Sequence, residues 1–179
     1  ISLRGNGSGD LYTKDASSLR GRLSSLGLLG NKHVPEAYLR ASVAQRLDLL
    51  RGLMDSDGSI DKSGSAVFVN ESACLRDSVA ELVRSFGWSA HTRSYEDMRW
   101  PGRPVVYKVT FRPDIDHCPF LLPRKACRVK APSSRKWRTI ASIEPVSSVP
   151  VRCIEVDADD HLFVAGDGWI ITHNTEHWK

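Results

Sequence analysis

Two short segments carry residue types from which chemistry can be expected. Residues 55–58 read Asp-Ser-Asp-Gly and follow an apolar stretch. Carboxylates at such a point can bind a divalent metal ion, and a metal ion held against a phosphate assists its hydrolysis. Residues 173–175 read His-Asn-Thr. An asparagine side chain can attack its own backbone carbonyl, which closes a succinimide ring and breaks the following peptide bond.

Each segment also has an ordinary explanation. Asp-Ser-Asp-Gly is a common turn sequence, and a His-Asn-Thr tripeptide taken alone is usually a surface turn. Whether each segment is a reactive site or only a turn therefore depends on the elements that surround it.

The residues before the acidic segment predict a helix. Val43, Leu47, Leu50 and Met54 form one apolar stripe, so a helix is expected from about residue 42 to residue 54. The same periodicity, with Asp15 as a cap, predicts an earlier helix over 15–28, and a later one is predicted over 73–86. Strands are predicted over 66–69, 88–95 and 105–112. The unit reads α-β-α-β-β, which is an α+β fold with an antiparallel sheet.

The last of these strands has two different faces. One face is apolar and the other mostly polar and basic, because side chains alternate along a strand. The first set is Val105, Tyr107, Val109 and Phe111, and the second is Val106, Lys108, Thr110 and Arg112.

The segment from Leu50 to Gly58 resembles the LAGLIDADG motif of homing endonucleases. Asn31-Lys32-His33-Val34-Pro35 resembles the Lys-x-x-Pro block of intein endonucleases, and residues 82–87 resemble the helix end that follows the second motif. In such a motif Gly52 lets a second helix approach closely, and Gly58 lets the backbone turn into a strand.

The resemblance implies Mg²⁺-dependent hydrolysis of a double-stranded DNA target site. It makes Asp57 the metal ligand and a catalytic residue, and it makes Lys32 a catalytic candidate. The residues expected along the DNA groove are Lys108, Thr110, Arg112, Arg93, His91 and Tyr95. The first LAGLIDADG helix is not in this chain, so residues 1–179 alone are not expected to cleave DNA unless they pair with another copy.

The end of the chain reads as all-β. Short strands are predicted over 139–146, 151–156, 161–164 and 169–172. Residues 151–163 resemble the penultimate splicing block of inteins, and residues 169–175 resemble the terminal block. This implies a Hint-type splicing segment in which Asn174 cyclises without a cofactor and Thr175 begins the C-extein.

The same resemblance implies catalytic roles for residues other than Asn174. His173 can donate a proton at the scissile amide, His161 can assist proton movement, and the Thr175 hydroxyl can accept the N-terminal extein as an ester. Cys153, together with Thr172, matches the inteins that use an internal cysteine nucleophile. The alternative for Cys153 is a buried cysteine that acts as a small hydrophobe.

Composition permits nucleic-acid binding without demanding it. Lysine and arginine total 25 against 21 acidic residues, which gives a formal charge of +4. Residues 124–138 contain seven basic residues and no acidic one. This stretch is either a solvated linker or a segment that contacts phosphates.

The four cysteines form no metal-site or disulfide pattern, which indicates a reduced, cytoplasmic protein. No apolar run approaches the roughly 20 residues of a bilayer span, so no membrane partner is expected. The first residue is Ile1, and the chain reads as a cut through a longer one.

These patterns divide the chain into three parts. Residues 1–130 are expected to form a LAGLIDADG-type endonuclease half with a preceding helix, residues 131–174 the C-terminal splicing segment, and residues 175–179 the start of the C-extein. The expected partners are target DNA, the host exteins in cis and the missing N-terminal portion of the intein. The alternative is a free-standing LAGLIDADG homing endonuclease or DNA-binding protein without splicing. A non-enzymatic β-module would explain neither Asp57 nor Asn174.

Overall fold

The computed structural model describes residues 18–99, 101–102, 104–131 and 139–174. The elements in these ranges are, in chain order, α1 Leu19–Ser25, α2 Glu36–Leu39, α3 Val43–Asp57, β1 Gly58–Ile60, β2 Ala66–Asn70, α4 Ala73–Ser85, β3 His91–Glu96, β4 Val105–Phe111, α5 Pro123–Ala126, β5 Phe163–Ala165 and β6 Ile170–Thr172. Within the ranges described, no helix is long and apolar enough to cross a membrane.

The predicted α+β fold with an antiparallel sheet is confirmed. Strands β1 to β4 form a four-stranded sheet in the order β1-β2-β4-β3, and every neighbouring pair is antiparallel. Phe68 of β2 lies opposite Gly58 on one side and Val109 on the other. Strand β1, which directly continues α3, is one strand more than the sequence predicts.

Helices α3 and α4 cover one face of this sheet. Both present apolar residues at helical spacing; α3 packs mainly on β1 and β2, and α4 packs mainly on β2 and β4. The fully buried side chains that form this core include Leu50, Met54, Phe68, Val79, Leu82, Val83 and Val109. The core therefore holds the end of α3 rigidly against the sheet.

Helix α3 begins as a capped helix and ends later than predicted. The Ser42 side chain accepts from the Gln45 backbone N–H while the Gln45 side chain reaches back to Ser42, which is a complete capping box. The helix continues through Asp57, so residues 55–57 are helical and do not form a turn. The ordinary turn explanation for this segment is therefore wrong.

The other helices lie close to their predicted ranges. Helix α4 ends at Ser85, with Ser72 as its N-cap. Helix α1 is shorter than the predicted 15–28 and is capped by Ser18. Asp15, the predicted cap, lies outside the described residues.

Strand β4 departs from simple alternation at its start. Val109 and Phe111 are buried as predicted, but Val105 is exposed and Val106 is buried. The predicted division into an apolar and a polar face is therefore wrong for these first two residues and right for the residues that follow.

The prediction of a continuous all-β tail is wrong over its first half. The predicted strands 139–146 and 151–156 have no regular structure, and Ile140, Ile143 and Val151 are at least 80% exposed. Only β5 and β6 pair, as a hairpin, in the described part of this tail. A strand is stabilised by neighbouring strands that take its backbone hydrogen bonds, and no strand in the described part of the chain pairs with residues 139–156.

Candidate functional site

The end of α3 presents one exposed carboxylate. Asp57 is the last residue of the helix, and its Oδ2 accepts a hydrogen bond from Asn70 Nδ2 at 3.1 Å. Asn70 lies at the end of β2, so the sheet fixes the direction of this contact. A carboxylate has about four acceptor positions, and Asp57 therefore retains the capacity to bind a cation.

Asp55 has a different environment from Asp57. Its Oδ2 accepts from the backbone N–H groups of Leu121 at 2.9 Å and Leu122 at 3.2 Å. These amides precede the short helix α5. Asp55 thus ties the segment after the sheet to α3, and the two acids of the motif separate into a structural group and an exposed one.

A buried lysine closes the C-terminus of α3. Lys125 Nζ donates to the carbonyl oxygens of Met54 at 2.9 Å, Asp55 at 2.8 Å and Gly58 at 2.7 Å. Burial lowers the pKa of Lys125, while the nearby Asp55 and Asp57 carboxylates act to raise it. A cation here complements the negative end of the helix dipole.

The sequence did not single out Lys125 from the basic stretch 124–138. Two further cations of that stretch also bond backbone carbonyls: Arg128 to Ile60 at 3.1 Å and Lys130 to Lys62 at 2.6 Å. Residues 121–130 therefore form a strap over β1 and the end of α3. The solvated-linker explanation is wrong for this part, and residues 132–138 lie outside the described residues.

The two glycines of the motif have different surroundings. Gly58 has an ordinary extended backbone with φ −95°, so no special conformation requires glycine. A Cβ at Gly58, however, would lie 2.6 Å from both the carbonyl oxygen and the Cε of Met54. The reason for Gly58 is therefore close packing, not the backbone freedom expected from sequence. A Cβ at Gly52 would meet no atom of the described residues within 4 Å, so this side of α3 is open.

The loop that carries Lys32 is connected to Asp57 by hydrogen bonds. The Lys32 side chain is exposed, and its backbone carbonyl accepts from Ser72 Oγ at 3.1 Å. The Ser72 backbone N–H donates to Asn70 Oδ1 at 3.0 Å, and Asn70 in turn contacts Asp57. A chain of three hydrogen bonds thus links the loop of one predicted catalytic residue to the other.

The ligands present suit a magnesium ion that is only partly held by protein. Among the described residues there is no group of three or more His, Cys, Asp or Glu side chains that could hold a metal. Mg²⁺ is commonly bound through one or two carboxylates together with waters and substrate phosphates. Asp57 fits that use, although it does not make a metal site alone.

The predicted DNA-binding residues lie on adjacent strands. His91 is opposite Thr110, and Arg93 is opposite Lys108. Residues directly opposite each other in an antiparallel pair share a face, so these four side chains form one polar and basic surface. Tyr95 has the same parity and is exposed.

Arg112 lies just beyond the end of β4. With His91 and Thr110 it lines a shallow cleft of about 310 Å³. The surface formed by Lys108, Thr110, Arg112, Arg93, His91 and Tyr95 is called the sheet surface below.

The tail brings some of its predicted residues together. The Asn174 side-chain amide donates to the carbonyl of Ile154, the neighbour of Cys153. His173 Nδ1 lies 2.7 Å from the Asn174 carbonyl oxygen, which belongs to the peptide bond expected to break. The Thr172 hydroxyl donates to the His173 carbonyl at 3.5 Å.

The remaining residues of the tail are placed differently. Cys153 is an exposed free thiol, so its explanation as a buried hydrophobe is wrong. In the described residues His161 is not a hydrogen-bond partner of Asn174; its backbone N–H donates to Ala158, and it has a positive φ of 51°. Thr175 lies outside the described residues.

One part of the chain matches the model of a known domain family. Residues 44–113 match the family model described as a LAGLIDADG-like domain. This range runs from α3 to just beyond β4 and includes Asp57 and the sheet surface. This part of the chain is therefore similar to a LAGLIDADG-like domain.

Particular relatives extend the match beyond this domain. The chain is 38% identical over 167 residues to a replicative DNA helicase DnaB of Mycobacterium intracellulare, covering 88% of this chain and 28% of that protein. A replicative DNA helicase DnaB of Mycobacterium leprae (strain TN) is 56% identical over 36 residues, 20% of this chain and 6% of that protein. The chain spans less than a third of the length of these relatives.

Proposed function

We propose that this chain is the C-terminal part of an intein inserted in a DnaB-type replicative helicase. Residues 1–130 are one half of a LAGLIDADG homing endonuclease, residues 131–174 are the C-terminal splicing segment, and residues 175–179 begin the C-extein. An N-terminal intein portion outside this chain supplies the remaining parts of the endonuclease and of the splicing domain.

The observation that carries this proposal is the combination of two matches on one chain. A LAGLIDADG-like domain occupies residues 44–113, yet 88% of the chain aligns with a replicative helicase. Helicase chemistry does not explain an endonuclease domain, whereas an intein inserted in a helicase explains both. The His-Asn-Thr sequence at 173–175 lies where the insert would end.

In the nuclease, Asp57 contributes one carboxylate and a second LAGLIDADG helix contributes another. A Mg²⁺ ion bound between them would polarise a DNA phosphate and lower the barrier to attack by water. The sheet surface lies along the DNA, where its cations contact phosphates and its hydrogen-bonding groups contact base edges. Asn70 orients the Asp57 carboxylate, and Lys125 stabilises the end of α3 that carries Asp57.

In splicing, the side-chain nitrogen of Asn174 attacks the carbonyl carbon of the same residue. The new carbon–nitrogen bond closes a succinimide, and the bond to the Thr175 nitrogen breaks. The attacking nitrogen loses a proton and the Thr175 nitrogen gains one. The distance of 2.7 Å between His173 Nδ1 and the carbonyl oxygen of this peptide bond supports a role for His173 in that proton transfer.

Cys153 acts earlier in the proposed sequence. Its thiolate attacks the carbonyl carbon of the upstream splice junction; a thioester forms, and the peptide bond to the first intein residue breaks as the nitrogen of that residue takes a proton. The Thr175 hydroxyl then attacks the thioester, which gives an ester and frees the Cys153 thiol. Once Asn174 has cyclised, the freed Thr175 amine attacks this ester, so that a peptide bond joins the exteins and the Thr175 hydroxyl is restored. The exposed position of Cys153 beside Ile154, whose carbonyl contacts Asn174, supports a shared site.

The decisive experiment uses the complete precursor, with the upstream intein portion and both exteins. We expect ligated exteins from the unmodified protein. Asn174→Ala should abolish release of the chain from Thr175, and Cys153→Ala should abolish cleavage at the upstream junction. Asn31→Ala, which removes an exposed asparagine elsewhere, is the matched control. Ligation that survives Asn174→Ala, measured by mass spectrometry, would refute splicing by this residue.

The second candidate is a LAGLIDADG nuclease or DNA-binding protein without splicing. The specific observation in its favour is the irregular, exposed segment 139–156, where a splicing framework was expected. The precursor experiment separates the candidates, because the second predicts an intact precursor together with target-dependent DNA binding.

A further inference from the structure

Three hydrogen bonds connect the Lys32 loop to Asp57. They run from Asp57 Oδ2 to Asn70 Nδ2 at 3.1 Å, from Asn70 Oδ1 to the Ser72 backbone N–H at 3.0 Å, and from Ser72 Oγ to the Lys32 carbonyl at 3.1 Å. The participants come from the end of α3, the end of β2, the N-cap of α4 and the loop before α2. We call this set the Asn70–Ser72 tether.

Asn70 uses both ends of its amide. The nitrogen donates to Asp57, and the oxygen accepts from Ser72. Only a side chain with both a donor and an acceptor can make this connection; a carboxylate at position 70 would oppose Asp57. The chemistry of the amide therefore matches its place between a carboxylate and a backbone N–H.

Ser72 has two separable tasks. Its oxygen accepts from the Leu75 backbone N–H at 3.2 Å, which caps α4. Its hydroxyl proton is donated to the Lys32 carbonyl. Capping needs only an acceptor, so the bond to Lys32 is additional to what the helix requires.

The Lys32 loop is held by the hydrophobic core at one end only, through Val34. Val34 is buried at 8% exposure, whereas Lys32 is exposed. Gly30, which precedes the loop, has φ +74°, in the region that favours glycine. The Ser72 bond therefore supplies the second anchor.

We propose that Asn70 and Ser72 are positioning residues that hold the Lys32 loop at the Asp57 end of α3. The proposal rests on the proposed nuclease function, since that function makes Asp57 and Lys32 partners in one reaction. Neither Asn70 nor Ser72 has to touch DNA or metal in this role. Their effect is to fix the distance between the Lys32 loop and Asp57, which lie 25 positions apart in the sequence.

The test separates tethering from capping at position 72. Ser72→Asp keeps the acceptor that caps α4 but removes the donor to Lys32, and Ser72→Thr keeps both. Asn70→Ala cuts the tether at its other end and leaves the cap untouched. Ser78→Ala, which removes a hydroxyl bonded to the Cys74 carbonyl in the same helix, is the matched control.

Limited proteolysis of the chain gives the first readout, because trypsin cleaves after an exposed lysine when the loop that carries it opens. We expect Ser72→Asp and Asn70→Ala to speed tryptic cleavage after Lys32 by about fivefold, the factor carried by one net hydrogen bond. Both variants keep the α4 cap, so the midpoint of urea unfolding should fall no further in Ser72→Asp than in Asn70→Ala. Tryptic cleavage after Lys32 at the unmodified rate in both tether variants would overturn the proposal.

Cleavage by the complete nuclease, with its second LAGLIDADG helix, gives the second readout. Ser72→Asp should lower kcat with KM unchanged, and Ser72→Thr should have the kcat of the unmodified protein. Faster tryptic cleavage after Lys32 with unaltered kcat would overturn the positioning role. If the unmodified protein does not cleave its target DNA, the nuclease proposal fails, and the proteolysis comparison still decides whether the tether holds the loop.

Discussion

Asp57 has an exposed carboxylate at the last residue of α3, whereas the Asp55 carboxylate accepts two backbone N–H groups of the strap. The two residues have the same side chain and are separated only by Ser56, so their different roles come from what surrounds them. A carboxylate whose acceptor positions are taken by the fold stabilises the protein. A carboxylate at the surface remains available to a cation.

This difference predicts opposite results for two substitutions. Asp57→Asn should leave the urea midpoint unchanged, because an amide oxygen still accepts from Asn70. It should lower Mg²⁺-dependent cleavage by the complete nuclease by more than the loss of about 10- to 100-fold that is typical of groups outside a metal's ligand set.

Asp55→Ala should act mainly on stability. The backbone N–H groups of Leu121 and Leu122 lose their charged acceptor, which costs about 1 to 2 kcal/mol in the free energy of unfolding. Urea denaturation measures that change. Equal losses of cleavage and of stability in the two variants would contradict the division of roles.

Helix α3 packs into the hydrophobic core along one face and carries Asp57 at its end. Its inner face packs Leu50 and Met54 into the core, and its end is held by Lys125. Its outer side at Gly52 is open among the described residues. A helix with one face packed and a glycine on the other is suited to pair with a second helix at close distance.

Gly52→Ala should therefore stabilise this chain and weaken the complete nuclease. Alanine replaces a flexible glycine in a helix interior, which raises the free energy of unfolding by about 0.5 to 1 kcal/mol. In the paired protein the added methyl group separates the helices and lowers cleavage. Urea denaturation of the chain and cleavage by the complete nuclease measure the two effects.

A result in which Gly52→Ala improves both stability and cleavage would show that no helix packs at this position. Gly58→Ala is the matched comparison, because its Cβ would collide with the backbone of Met54. That variant should destabilise the chain itself.

At the scale of the whole molecule, the described residues form a well-packed α+β unit that matches a LAGLIDADG-like domain over 44–113, followed by a mostly exposed segment from residue 139. The sheet surface faces away from α3 and α4 and carries its cations on β3 and β4. We expect residues 1–179 to bind duplex DNA without cleaving it, since a second carboxylate and helix are needed. Efficient site-specific cleavage by the purified chain would contradict this.

The salt dependence of binding tests the sheet surface. Arg93→Ala and Lys108→Ala should each reduce the slope of log affinity against log salt by about 1, because each removes one phosphate contact. Arg22→Ala, the same change of charge on α1, should leave the slope unaltered. Fluorescence anisotropy with a labelled duplex measures the three slopes, and equal reductions in all three would place the binding elsewhere.

The local features of this protein could be predicted from its sequence. Periodic apolar residues predicted α3 and α4, and alternation predicted most of β4, because both patterns depend only on neighbours along the chain. The residue types around Leu50 to Gly58 predicted the domain class. The pairing partner of a strand is not a local property, and for that reason residues 139–156 were predicted as strands and are irregular.

The contacts that build the site became visible only in the three-dimensional structure. It distinguished Asp55 from Asp57, carried the helix through both, and placed Lys125 on the Asp55 carbonyl from 70 positions away. It also connected Lys32 to Asp57 through Asn70 and Ser72. These contacts depend on where the strap, the sheet and the loop meet in space, and a hydrogen bond between distant positions leaves no periodic signal in the sequence.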